Sequence, residues 1–143
     1  MKKTIQVAVA GIALIFAAQI TSCKKDKKEE ASLVGTWQSK SLWSNIKENG
    51  VVIFDTTMNL TNGTLVVNSD KTFISTDAVD ASNNSSGTYS TSGSKLYLDN
   101  KDGTKDTMDY TVSATELSVS NSGSYSADGA AYEYIQKSTF TRK

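Results

Sequence analysis

Few residues in this chain can do chemistry. Histidine is absent from all 143 residues, and cysteine occurs once, at Cys23. Without imidazole, Ser-His-Asp and Cys-His catalysis are closed and the commonest transition-metal ligand is missing. A single thiol makes no internal disulfide and no cysteine zinc cluster. The acidic turn Asp99-Asn100-Lys101-Asp102-Gly103 invites a calcium reading. With Gly103 at the glycine position of an EF-hand loop, however, the first ligand position falls on Leu98, so the segment reads as a hairpin turn. No spacing of Asp and Glu marks an acid/base pair, which leaves glycosidase chemistry a remote reading. The expectation is a non-enzymatic protein with no metal and no cofactor.

The surroundings of Cys23 give the thiol its role. Met1, Lys2 and Lys3 form a positive start, followed by IQVAVAGIALIFAAQI from Ile5 to Ile20, a run of 16 residues. A spanning helix needs about 20 apolar residues. Of the two readings, uncleaved anchor and secretory signal peptide, length and flanks favour a signal peptide over residues 1–22. Ile20-Thr21-Ser22-Cys23 resembles the bacterial lipobox, in which an aliphatic and two small residues precede a lipid-modified cysteine. The resemblance implies a diacylglycerol on the Cys23 sulfur, cleavage before Cys23 and acylation of its new amino group. Two or more acyl chains anchor stably, because each buried methylene contributes ~0.8 kcal/mol. Burial of Cys23 as a small hydrophobe is the competing reading, opposed by the seven charged residues that follow.

Those residues, Lys24 to Glu30, form with Cys23 and Ala31 a charged tether over residues 23–31. Charged runs behind a lipidated cysteine also resemble lipoprotein sorting signals of Gram-negative bacteria. Lys24 in place of Asp then implies a lipid-anchored position at the outer membrane, on its periplasmic face or at the cell surface. From Ala31 onward nine basic and twelve acidic residues leave a net charge of −3. Nucleic acid demands clustered Lys and Arg and is not expected as a partner.

Residues 32–143 read as one domain of short strands. Turn dipeptides recur at Asn49-Gly50, Asn62-Gly63, Ser86-Gly87, Ser92-Gly93, Asp102-Gly103 and Asp128-Gly129. Between them apolar residues alternate with polar ones: Met108, Tyr110 and Val112; Leu117 and Val119; Leu96 and Leu98; Tyr132 and Tyr134. This pattern predicts an antiparallel meander of roughly eight to ten strands with one face inward, as a closed up-and-down barrel or a sandwich. Two polar stretches, Ala78 to Ser86 and Asn121 to Gly129, are expected to be long rim loops.

The domain opens with LVGTW (Leu33 to Trp37) and closes with STFTRK (Ser138 to Lys143). With the segments TLVVNSDKTF and GTYSTSGSKLYL between them, it resembles the small bacterial lipocalin-like lipoproteins of the lipocalin and fatty-acid-binding-protein superfamily. The resemblance covers Leu33 to Arg142 and implies an all-β fold: a small antiparallel up-and-down β-barrel behind an N-terminal signal helix and charged linker. Its motif residues are Gly35, Trp37 and Arg142. Trp37 would close the barrel's bottom and Arg142, the only arginine, would lie across its indole. A second Thr-Asp-Tyr motif, a C-terminal helix and a disulfide are missing, which bears on classical transport more than on fold.

Such a barrel either fills with its own side chains or encloses one small hydrophobic ligand. Phe73, Tyr89, Leu98, Met108, Tyr110, Tyr132 and Tyr134 are the pocket candidates, with core packing as their default role. The alternative function is a surface interaction module, with glycan, cell-wall material or an unidentified protein bound by rim loops. Asp55-Thr56-Thr57 and Asp106-Thr107-Met108 resemble a short O-glycosylation pattern of exported bacterial proteins, and at three residues chance accounts for both. The lipid reading predicts that Cys23→Ala abolishes palmitate labelling and moves the protein from the membrane fraction. Equal labelling of wild type and variant would exclude Cys23 as the attachment point.

Overall fold

Asn49-Gly50 and Asp128-Gly129 each place two consecutive residues at positive φ, 48° and 82° in the first pair, 51° and 78° in the second. Two such residues make a type I′ turn, whose twist matches that of the strands it joins. In the computed structural model, which describes residues 31–143, they close the two longest hairpins. One joins β1 (Gly35–Glu48) to β2 (Val51–Asn59), and the other joins β8 (Glu116–Ala127) to β9 (Ala130–Arg142). The signal peptide expected over 1–22, Cys23 and the charged run to Glu30 lie outside the described residues.

Between the hairpins run β3 (Gly63–Val67), β4 (Thr72–Asp77), β5 (Ser85–Ser92), β6 (Lys95–Asn100) and β7 (Lys105–Val112). From β3 to β9 each strand pairs antiparallel with the next, and β9 returns to pair with β1. The lower half of β1, Gly35 to Gln38, pairs with β3 and completes an eight-stranded antiparallel barrel. Closure leaves no edge within the ring. The upper half of β1, Ser41 to Glu48, pairs instead with β2. So the ninth strand stands outside the ring, and the expected up-and-down meander holds only from β3 onward.

A bulge makes this division. Against β9, the β1 register slips between Ser39 and Ser41, so Lys40 is an extra residue. Trp37 and Ser39 share the inner face below the slip, and Leu42, Ser44 and Ile46 share it above. Gln38 holds the corner where the chain drops from β2 into β3, its Nε2 donating to the carbonyls of Thr61 (2.6 Å) and Gly63 (2.8 Å). The Gly63 N–H in turn donates to Ser39 Oγ at 2.9 Å. The upper halves of β1, β8 and β9, flanked by β2, rise above the barrel as a four-stranded flap. Its hairpin tips are tied together: Asn49 N–H donates to Ala131 O (2.7 Å), and Ala131 N–H donates to Asn49 Oδ1 (3.1 Å).

The structure corrects three local readings. Asn121 to Gly129 is not a loop: β8 continues to Ala127, and only Asp128-Gly129 turns. Serines there report a solvated face, not irregular backbone. Ser86-Gly87 lies inside β5, where the backbone of Asp99 and Asn100 occupies the place a Cβ on residue 87 would take. Asn62-Gly63 marks the β2–β3 corner instead of a hairpin. Ala78 to Asn84 is a connection as expected, with a 3₁₀ turn at Ala81–Asn83 capped by the Asp80 side chain.

The core is small and sits low in the barrel. Trp37 and Leu117 are fully buried, and Val67, Phe73, Tyr89 and Leu96 nearly so. Arg142 seals this end. Its guanidinium carbon lies 4.1 Å from the centre of the Trp37 ring, a cation–π contact contributing ~0.5–2 kcal/mol. Its Nε donates to Ala114 O (2.8 Å), Nη1 to Val34 O (3.0 Å) and Nη2 to Ser32 O (2.5 Å). Gly35, at φ 151°, leaves room for Nη1, because a Cβ there would stand 2.5 Å from it. Trp37 Nε1 donates to Leu33 O at 2.9 Å, so the indole nitrogen is satisfied. Truncation of so buried a side chain costs ~3–5 kcal/mol, and urea unfolding of Trp37→Ala should show that loss. Arg142→Lys keeps the charge but loses the planar fork, and should lose roughly 1.5–3 kcal/mol. Wild-type stability in Arg142→Lys would show that the fork does not hold the bottom shut.

Candidate functional site

The inward alternation that builds the core also leaves a gap above it. A cavity of about 270 Å³ occupies the barrel over Trp37 and Leu117. Leu65, Val67, Phe73, Tyr89, Leu98 and Phe140 form much of its wall. They come from β3, β4, β5, β6 and β9, so closure of the ring, not any local segment, creates the space. Leu33, from the strand-less lead-in to β1, reaches it from below. Toward the flap the lining turns polar but uncharged: Ser75, Ser85, Asn121, Gln136 and Ser138. No Asp, Glu, Lys or Arg lines it.

Of the residues expected in a pocket, Phe73, Tyr89, Leu98 and Met108 line the cavity together. Tyr110 packs against the core cluster without lining the cavity. Tyr132 and Tyr134 lie higher, on the flap, opposite Glu48 and Ile46 of β1. There Tyr132 stacks on Tyr125 with ring centroids 5.0 Å apart and an 11° interplanar angle, and donates to Glu48 Oε1 at 3.1 Å. That hydrogen bond to the carboxylate is the main reason its phenol is held above the ordinary tyrosine range. Tyr134 lies against Gly123, where a Cβ would meet its ring at 2.8 Å. The polar mouth residues were missed in the sequence, although parity places them: Asn121 is two residues beyond Val119, and Gln136 four before Phe140.

Tyr89 links the cavity to the outer wall. Its hydroxyl donates to Asn68 O at 3.0 Å, and Lys71 Nζ lies 5.2 Å from its ring centre. Burial, then the nearby Asp70 and Tyr110, raises its pKa above the usual tyrosine value. The turn carboxylates shift the other way. Asp70, Asp77, Asp80 and Asp102 are lowered chiefly by accepting bonds from Thr72, from the Val79 N–H, from Ser82 and from Thr104 respectively. Each such bond closes a local turn, the structural use of Asp at these positions. In particular, the Asp99 to Gly103 segment spans the end of β6 and the β6–β7 turn, with Asp102 Oδ1 accepting from Thr104 N (2.9 Å) and Oγ1 (2.7 Å). Among the described residues, no three Asp, Glu, Cys or His side chains gather as a metal set.

What remains is a neutral, one-ended container, suited to holding an apolar group under a collar of hydroxyls and amides. No protein-family model matches the chain, and comparison with curated proteins finds no match.

A raised folded-state phenol stabilises the fold fully below the unfolded tyrosine pKa near 10, and that contribution is lost as pH rises through the folded value. The barrel should therefore weaken above pH ~10. Tyr89→Phe should remove one phenol that titrates above the ordinary range from a spectrophotometric titration and flatten that alkaline loss, at a cost near neutrality of ~0.5–1.5 kcal/mol for the missing hydrogen bond. An unchanged alkaline profile would show that Tyr89 is not the responsible group.

Proposed function

We propose that this chain is a lipid-anchored cell-envelope lipoprotein, held at the outer membrane through Cys23, whose lipocalin-like barrel binds a small hydrophobic ligand and catalyses no reaction. The observation that carries the binding reading is the uncharged cavity of about 270 Å³, floored by side chains such as Leu33 and Leu117 and collared by polar ones. A barrel meant only as a scaffold gains by filling that space, because interiors otherwise pack to the density of organic crystals. The volume lies just under the ~300 Å³ at which pockets begin to hold drug-sized molecules. The ligand is accordingly small: a single ring system or a short acyl segment. Its polar end would meet the Asn121 and Gln136 amides, and its apolar body would displace nothing charged.

The lipocalin-like reading is supported by the eight-stranded closed ring and by the Trp37–Arg142 contact that joins its first and last strands. Binding is tested with an apolar fluorescent probe and by native mass spectrometry of protein isolated from its own host. A co-purifying small molecule and a probe that it competes away are the expected results. Leu98→Trp fills the cavity from one wall and should weaken the probe at least about tenfold, the loss of roughly 1.4 kcal/mol of contact. Probe binding that survives Leu98→Trp unchanged, with the variant folded, would place the ligand elsewhere and exclude the barrel as its container.

A further inference from the structure

Barrel closure leaves two sheet edges open, the longer of them along β2. Among the described residues β2 pairs only with β1, so its outer rim faces solvent along nine residues. Natural edges are guarded by Lys, Pro, a bulge, an inward charge, shortness or a covering element. β2 reads VVIFDTTMN and has no Lys, Pro or inward charge; its one guard is a bulge near its upper end. Its one charge, Asp55, is engaged by Trp43 Nε1 at 2.8 Å. Val51, Val52, Ile53, Phe54 and Met58 are 40–67% exposed along it. A bulge at Ile53, where the register against β1 slips, leaves residues 54–59 as the regular part of the edge.

The alternation of this edge can be read from its lower end. Leu60 N–H donates to Lys40 O. In an antiparallel ladder the main-chain groups of Met58, Thr56 and Phe54 are then also turned to β1, and those of Thr57 and Asp55 are turned outward. Residues 54–58, FDTTM, are close to a chemical palindrome: apolar at both ends, Thr at the centre, Asp and Thr between. We propose that this edge is a homodimer interface, in which β2 pairs antiparallel with β2 of a second copy about a two-fold axis through Thr56.

The register follows from what each alternative would oppose. Centred on Thr56, Phe54 faces Met58 of the second copy twice over, Thr56 faces Thr56, and each Asp55 faces a Thr57 hydroxyl. The outward-turned groups of Asp55 and Thr57 then meet as hydrogen-bonded pairs. Centred on Asp55, the strands would set two carboxylates side by side, which destabilises a sheet. Centred on Thr57, they would set Met58 against Thr56 and leave Phe54 to meet Leu60, which lies beyond the end of β2. The complement in sequence and charge is the edge itself, so a second copy is the occupant. Because the two-fold runs normal to the sheet, the flaps join into one eight-stranded sheet with both inner faces on the same side and the barrels at opposite ends. Pairing of β2 with the other open edge, the upper part of β8, would be head-to-tail and would leave an open edge on each copy of a pair.

The test uses the full chain with Cys23→Ser, so that any introduced thiol is the only one. Native mass spectrometry and sedimentation should give a species of twice the 15.4 kDa chain. Facing Thr56 residues form a non-hydrogen-bonded pair with Cα atoms ~4.5 Å apart, within reach of a disulfide. Thr56→Cys should therefore cross-link into a dimer on mild oxidation, whereas Thr107→Cys, exposed on β7, should not. Thr56→Lys opposes two ammonium groups at the axis and should weaken the dimer by about tenfold or more, with an unchanged unfolding midpoint for the monomer. A monomer at every concentration, equal cross-linking at both positions, an open-ended series of masses, or a folded Thr56→Lys dimer as tight as wild type would each overturn the proposal. If Thr56→Lys does not fold, the cysteine pair decides alone.

Discussion

The contact on which the rest of the fold depends is the Arg142 guanidinium over the Trp37 indole. It couples the first strand of the ring to the last, the two elements that a meander brings together only at the end. The guanidinium charge is fixed and directional, and here it is spent on carbonyls of Ser32, Val34 and Ala114. One side chain thus gathers the lead-in segment, the β7–β8 turn and both closing strands. Ring closure removes edges from eight strands, and a sealed bottom turns the interior into a container with one mouth. Without that seal, the small core of six buried side chains would be open at both ends.

The second constraint is the bulge at Lys40. An extra residue there moves β1 from its partnership with β3 to one with β2 while β9 follows it throughout. Lys40 itself turns outward to Glu116 at 3.2 Å, both side chains about half exposed, so this ion pair adds little stability. Among the described residues the flap that rises above the slip has no second layer, which is why its apolar side chains stay exposed. Cavity and flap therefore differ in kind. The cavity is enclosed by the ring, whereas the flap is a sheet with a face and an edge awaiting cover.

Much of this was legible in the residues, and the failures have physical causes. Asn49-Gly50 and Asp128-Gly129 marked hairpins because positive φ at two successive positions admits few residue types. Ser86-Gly87 carried the same signal and misled, because glycine also serves where a neighbouring backbone comes close. Asn121 to Gly129 read as a loop because Ser, Asn and Gly report exposure, and a flap strand open to water looks like one. Val51 to Met58 carries no clean alternation, since a bulge breaks its period at Ile53. Of the seven pocket candidates, four line the cavity. Tyr132 and Tyr134 share its face but lie on the flap above it, because parity says which side a residue takes and nothing of how far up the strand the ring extends.

The sequence by itself determined the class of fold, the inward face of most strands and the tight turns. These depend on period, local backbone preference and motif, all short-range properties of the chain. The tertiary structure alone decided that β2 stands outside the ring, that a gap of about 270 Å³ survives above the core, and that serines and amides collar its mouth. Those features arise from strand register and from which strand meets which, and both are settled by contacts between residues as far as 110 positions apart. A cavity is the space left when many walls meet, and no single wall encodes it.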